Sequence, residues 1–155
     1  MKDLGFTMSR EIYYLDTSAL VKRYVVEPGS EVIDMIFRDA YRSLAVVSCS
    51  SWNIAEAAVV FDKYGRILGL SVRELMRNML RELRILSRLH MLRIVGITPR
   101  LIRDSIQLVF KYHIYVADAL QITSAKTINS SKFLTGDKKL AKIAEQEGLQ
   151  ATYIG

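Results

Sequence analysis

Four carboxylates stand in places where a carboxylate is costly. Asp16 closes the run Ile12-Tyr13-Tyr14-Leu15, and Glu56 interrupts Ile54-Ala55-Ala57-Ala58-Val59-Val60. Asp118 interrupts Val116-Ala117-Ala119-Leu120, and Asp137 follows Phe133-Leu134-Thr135-Gly136. An acid on a core-facing surface must be met by something positive. Oxygen-only ligands without clustered His or Cys suit a hard cation such as Mg²⁺ or Mn²⁺. Such an ion would relieve the mutual repulsion that otherwise raises the pKa of clustered acids. It would also polarise a phosphoryl oxygen and acidify a bound water, so the chemistry indicated is phosphodiester hydrolysis.

Each acid also has a structural alternative. Asp16 and Asp137 both stand where a helix N-cap is expected. Asp118 falls in a first helical turn, where the helix dipole favours an acid. Its neighbours at helical spacing are nevertheless apolar or neutral: Ile114, Tyr115, Gln121 and Ile122. Glu56 resists a structural reading best, since its helical neighbours are Trp52, Asn53, Val59 and Val60.

The net charge of +6 is concentrated in one region. Between positions 66 and 103 stand Arg66, Arg73, Arg77, Arg81, Arg84, Arg88, Arg93, Arg100 and Arg103, opposed only by Glu74 and Glu82. This segment has a surplus of seven positive charges, whereas the remainder of the chain sums to −1. A localised basic surplus favours a polyanionic partner. Five of the arginines, Arg73, Arg77, Arg81, Arg84 and Arg88, form a stripe along a single helix. The stripe is a candidate RNA-binding face, with a solvated helix face or a protein contact as alternatives.

The elements that must hold these residues are short. Glu11 to Asp16, Leu44 to Ser48, Leu92 to Ile97, Lys132 to Thr135 and Ala151 to Ile154 read as strands, with the aliphatic and aromatic content of buried sheet. Helices are expected over Thr17–Tyr24, from Ser30 to Ala40, from Trp52 to Tyr64 with Gly65 as terminator, and over Ser71–Leu89. Further helices are expected from Pro99 to Tyr112, Tyr115 to Ile128 and Lys138 to Glu147. Strands alternating with helices imply a mainly parallel sheet covered on both faces, with ligands at the carboxyl ends of the strands.

The 155 residues, half of them hydrophobic, suffice for a single domain with its core over about 11–154. Only Pro28 and Pro99 are prolines, and no linker is evident. Residues 1–7 lack a signal peptide's apolar stretch, and no apolar run approaches a membrane span, so a cytoplasmic protein without membrane association is expected. Cys49 is the sole cysteine, which excludes an internal disulfide and a thiolate zinc cluster. His90 and His113, the two histidines, have no neighbours in sequence that indicate a site.

At its acids the chain resembles the PIN-domain nucleases, and among them the VapC-type toxins of prokaryotic toxin–antitoxin pairs. The resemblance runs from about Ile12 to Ile154. It rests on Leu15-Asp16-Thr17-Ser18-Ala19-Leu20-Val21-Lys22-Arg23-Tyr24 with Glu27-Pro28-Gly29-Ser30, on Asn53-Ile54-Ala55-Glu56, on Ala117-Asp118-Ala119-Leu120 and on Thr135-Gly136-Asp137-Lys138-Lys139-Leu140. It implies a three-layer α/β/α sandwich on a five-stranded parallel sheet and a Mg²⁺- or Mn²⁺-dependent endoribonuclease. It carries over Asp16, Glu56, Asp118 and Asp137 as the catalytic and metal site, with Ser18 and Thr135 as site-organising hydroxyls. It further implies a homodimer and a small antitoxin protein as partner. Many members have another acid two residues after the fourth, where this chain has Lys139.

In the function so expected, Asp16, Asp118 and Glu56 hold the metal and Asp137 positions the attacking water. A housekeeping RNA-processing nuclease and a non-catalytic RNA- or protein-binding module of the same fold are the alternatives. A phosphotransfer domain fits less well. An aspartyl phosphatase needs a second Asp at position 18, which is Ser, and Lys138 is poorly placed as a receiver's lysine.

Overall fold

The computed structural model describes residues 9–155, so the segment examined for a targeting signal, residues 1–7, lies outside the described residues. Five parallel strands form a single sheet: β1 (Glu11–Leu15), β2 (Ala45–Ser50), β3 (Leu92–Val95), β4 (Lys132–Thr135) and β5 (Ala151–Tyr153). Their order across the sheet is β3-β2-β1-β4-β5. The helices are α1 (Thr17–Leu20), α2 (Ser30–Tyr41), α3 (Ser51–Leu68), α4 (Val72–Arg88), α5 (Pro99–Tyr112), α6 (Val116–Thr127) and α7 (Lys138–Gln146).

Alternation along the strands builds two cores, because successive side chains point to opposite faces. Leu15 of β1 and Leu134 of β4 join Phe37 of α2, Phe61 of α3 and Met79, Leu83 and Leu86 of α4 on one face. Tyr14 and Phe133, one position earlier on the same strands, join Leu108 of α5, Ile122 of α6 and Leu140 and Ile143 of α7 on the other. The Tyr14 and Phe133 rings stack with centroids 5.6 Å apart. Helices α1 to α4 thus cover one face and α5 to α7 the other, the three-layer α/β/α sandwich expected. No described helix is long and apolar enough to cross a membrane.

The sheet winds outward in both directions from β1: toward β2 and β3 on one side, and toward β4 and β5 on the other. The carboxyl ends of β1 and β4 therefore flank the topological switch point, where connections diverge and leave a crevice. The register Leu15↔Leu134 sets Asp16 beside Thr135, and the Asp16 backbone N–H donates to the Leu134 carbonyl at 3.2 Å.

The structure corrects two expected helices. Gly65 does not end α3, which continues to Leu68 and stops at Gly69 in the left-handed region (φ 69°). Gly65 instead serves the α3–α4 approach: a Cβ there would lie 2.5 Å from Val72 Cγ2 and 3.2 Å from the Leu70 carbonyl oxygen. The expected first helix likewise divides into α1 and a 3-10 turn over Val21–Arg23.

Candidate active site

Asp16, Glu56, Asp118 and Asp137 line one cavity of about 330 Å³ at the carboxyl edge of the sheet. Ser18, Thr17 and Gln121 share its wall. Four elements distant in sequence converge there: the β1–α1 junction, the second turn of α3, the first turn of α6, and the β4–α7 junction.

Asp16 is the N-cap of α1 and is 5% exposed. Its Oδ1 accepts from the Ala19 backbone N–H at 2.9 Å and the Ser18 hydroxyl at 2.6 Å, and its Oδ2 from the Thr135 hydroxyl at 2.5 Å. Burial pushes its pKa up to about 6; the hydrogen bonds oppose this, and the Asp118 charge adds to it. The capping and site readings of Asp16 are therefore compatible. The cap fixes the carboxylate at the helix start; Oδ1 already accepts from two donors, whereas Oδ2, with one, keeps a lone pair.

Thr135 and Ser18 organise the strand ends. The Thr135 hydroxyl also accepts from the Asp137 backbone N–H at 3.0 Å, and the Ser18 hydroxyl accepts from the Gly136 N–H at 2.7 Å. A Cβ at Gly136 would stand 3.2 Å from Ser18 Oγ, so this turn closes tightly on α1 only without a side chain. Asp137 caps α7, with Oδ1 accepting from Lys139 N–H at 2.8 Å and Leu140 N–H at 3.2 Å. It is the most exposed of the four acids.

Glu56 is half-buried, held through Oε1 by the Thr17 hydroxyl at 2.8 Å and the Gln121 amide at 3.0 Å. Gln121 in turn accepts from the buried Tyr14 hydroxyl at 2.7 Å. The apolar surface around Glu56 is partly an open wall, with Val59 lining the cavity and 71% exposed. Asn53 completes a capping box with Ser50, and its amide donates to the Leu15 carbonyl at 2.9 Å. The start of α3 is thereby tied to the end of β1. Asp118 is half-buried; burial first, then the Asp137 and Glu56 charges, raise its pKa, and Lys139 opposes them.

Sequence reasoning did not find Thr17, Gln121 or His113. Gln121 follows Asp118 by three residues and so shares its helix face. Nothing in sequence pairs Thr17 with Glu56, 39 residues away. His113 lines a second cleft together with Asp118 and Asp137, so it has tertiary neighbours that its sequence surroundings do not indicate. Arg73, Arg77, Arg81, Arg84 and Arg88 are exposed on α4, which packs against α3, and none of them lines the acid cavity. The Cys49 thiol is buried and pushed up to about 12, which suits an inert core residue.

The donor set fits a hard divalent cation: four carboxylates on one cavity, two with raised pKa, and no soft ligand among the residues lining it. Among the described residues, no three acidic, His or Cys side chains are placed so that together they could hold a metal ion without moving. The Asp137 and Glu56 charges raise the Asp118 pKa, a repulsion that a bound cation would relieve.

A family profile described as PIN domain matches residues 13–146. Among solved structures, PAE2754 from Pyrobaculum aerophilum superposes with a TM-score of 0.63 at 16% identity, over 97% of this chain and 90% of that one. Mycobacterium tuberculosis VapC20, described as a sarcin–ricin loop cleaving toxin, gives 0.58 at 14% identity, over 88% and 95%. FitAcB from Neisseria gonorrhoeae gives 0.55 at 19% identity, over 90% and 95%. No curated protein sequence matches. At these identities the superpositions establish a common fold, and the profile spans most of the chain, from inside β1 to the end of α7. The protein belongs to the PIN-domain family.

Proposed function

We propose that the protein is a Mg²⁺- or Mn²⁺-dependent endoribonuclease acting as the toxin of a toxin–antitoxin pair. The observation that carries this reading is the convergence of Asp16, Glu56, Asp118 and Asp137 on one cavity at the switch point of the sheet. VapC20, which shares the fold, is described as a sarcin–ricin loop cleaving toxin, which supports RNA as substrate.

Asp16, Asp118 and Glu56 would hold the cation, which when bound would neutralise phosphate charge and lower the pKa of the attacking water. Asp16 is preset for this role by its three donors, and Glu56 by Thr17 and Gln121. Asp137, exposed at the rim, accepts a proton from the attacking water and orients it. The exposed arginines of α4 supply a salt-sensitive contact to RNA phosphates. On the outer side of α5, Ile102, Ile106 and Phe110 are 43%, 39% and 71% exposed at a spacing of four residues. An apolar patch of this kind suits the homodimer and the small antitoxin partner of such a toxin.

The test is incubation of the purified protein with structured RNAs, with and without Mn²⁺. Cleavage that requires Mn²⁺, stops with EDTA and is lost in Asp16→Asn and Asp118→Asn is expected. Cleavage that persists in EDTA or in Asp16→Asn would overturn the mechanism.

A further inference from the structure

A second cleft, about 390 Å³, adjoins the acid cavity and shares Asp118, Asp137 and Leu140 with it. Its remaining wall has a different character: His113, Ile114 and Tyr115 from the α5–α6 turn, and Lys139 and Ile143 from α7. The turn is firmly built. His113 ends α5 in the left-handed region (φ 55°), with its N–H donating to the Val109 carbonyl at 2.8 Å. Ile114 is buried in the core beneath it. Tyr115 then begins α6 with its side chain 85% exposed and making no cap hydrogen bond. A large aromatic ring is thus held at the mouth of the cleft by an anchored backbone. Lys139 lines the cleft beside Asp118 and Asp137 and opposes the rise in the Asp118 pKa, so a positive charge stands next to the acids on this wall.

We propose that this cleft is the subsite for the nucleotide next to the scissile phosphate of single-stranded RNA. The base lies against the Tyr115 ring, and the adjoining phosphate meets Lys139 and His113. This deepens the nuclease reading and rests on it. The physical case is the pairing of an exposed aromatic platform with the Lys139 cation. Every base offers a π-face to stack, and the backbone supplies the negative charge. The cleft lies within the size range of small-ligand sites. Lys139 occupies the place where the sequence resemblance leads one to expect another acid. At that place a cation draws the RNA backbone toward Asp118 and Asp137, whereas an acid would repel it.

The experiment is fluorescence anisotropy of a short labelled single-stranded RNA, in a Glu56→Gln background with Mg²⁺, across a salt series. Glu56 does not line this cleft, so the background removes turnover and leaves the subsite intact. Tyr115→Ala should weaken binding about tenfold and Tyr115→Trp should restore it, as stacking requires. Lys139→Ala should lower the slope of log affinity against log salt by about 0.7. Both side chains are exposed, so melting temperatures should be unchanged. Unchanged affinity in Tyr115→Ala together with an unchanged salt slope in Lys139→Ala would overturn the proposal. So would a parent protein that does not bind the RNA. The two readings separate cleanly. Mn²⁺-dependent cleavage with both substitutions silent removes the subsite and keeps the nuclease. Binding that depends on Tyr115 and Lys139, without cleavage by the unsubstituted chain, does the reverse.

Discussion

One hydroxyl joins two acids: Thr135 Oγ1 donates to Asp16 Oδ2 at 2.5 Å and accepts from the Asp137 backbone N–H at 3.0 Å. It lies at the end of β4, directly across the sheet from the end of β1, and is fully buried. The spacing between a carboxylate after one strand and a carboxylate after the next is therefore set by a single side chain.

Thr135→Val keeps the shape and removes both hydrogen bonds. The expected cost is about 1–3 kcal/mol, because the Asp137 N–H and one Asp16 oxygen lose their partner in a buried place. Chemical denaturation checks the stability. Thr135→Ser should recover most of the loss, and a Thr135→Val variant as stable as the parent would count against the bridge.

Metal affinity should depend on pH through Asp16. Its pKa is pushed up to about 6 by burial, so below that pH a cation must displace a proton. Mn²⁺ binding by calorimetry should be about tenfold weaker at about pH 5 than on the plateau above about pH 7. Stability without metal runs the opposite way. A raised carboxylate pKa means the folded state binds more protons, so stability falls as pH rises from about 4, the unfolded value, through about 6. Adding Mn²⁺ at neutral pH should raise the melting temperature, and a pH-independent affinity would contradict the placement of Asp16 at the metal.

Gln121 spans the two hydroxyl and carboxyl partners Tyr14 and Glu56. Gln121→Met is similar in length and deprives the buried Tyr14 hydroxyl of its carboxamide acceptor, at an expected cost of about 1 kcal/mol. RNA cleavage should fall more than stability predicts, since Glu56 loses one of its two donors. Activity measured well below the melting temperature isolates that effect.

Gly65→Ala would raise helix propensity by about 1 kcal/mol at an isolated site. Here it should destabilise by about 1–3 kcal/mol, since the new methyl would stand 2.5 Å from Val72 Cγ2. The double substitution Gly65→Ala with Val72→Ala should recover part of the loss in a double-mutant cycle, whereas additive effects would show that the contact is not the cause.

The chain's local chemistry was legible from sequence wherever one element decided it. Short aliphatic and aromatic runs marked the strands, and signals such as Pro99 and the N-cap position of Asp137 placed helix starts, because both depend on neighbouring residues only. The acids were conspicuous because each is polar within an apolar run, and their order matched the family pattern. The end of α3 was misjudged because a glycine breaks a helix in isolation. Gly65 lies where α3 meets the start of α4, and only packing reveals that the missing side chain admits Val72.

Tertiary structure alone decided which groups meet. The strand order β3-β2-β1-β4-β5 brings the ends of β1 and β4 together although 119 residues separate Asp16 from Thr135. It gave Glu56 the donors Thr17 and Gln121, and it placed His113 and Tyr115 beside Asp118 and Asp137. The residue types determined that a carboxylate chemistry was available. The parallel register, with its fixed offset between neighbouring strands, determined that four acids would line the same cavity.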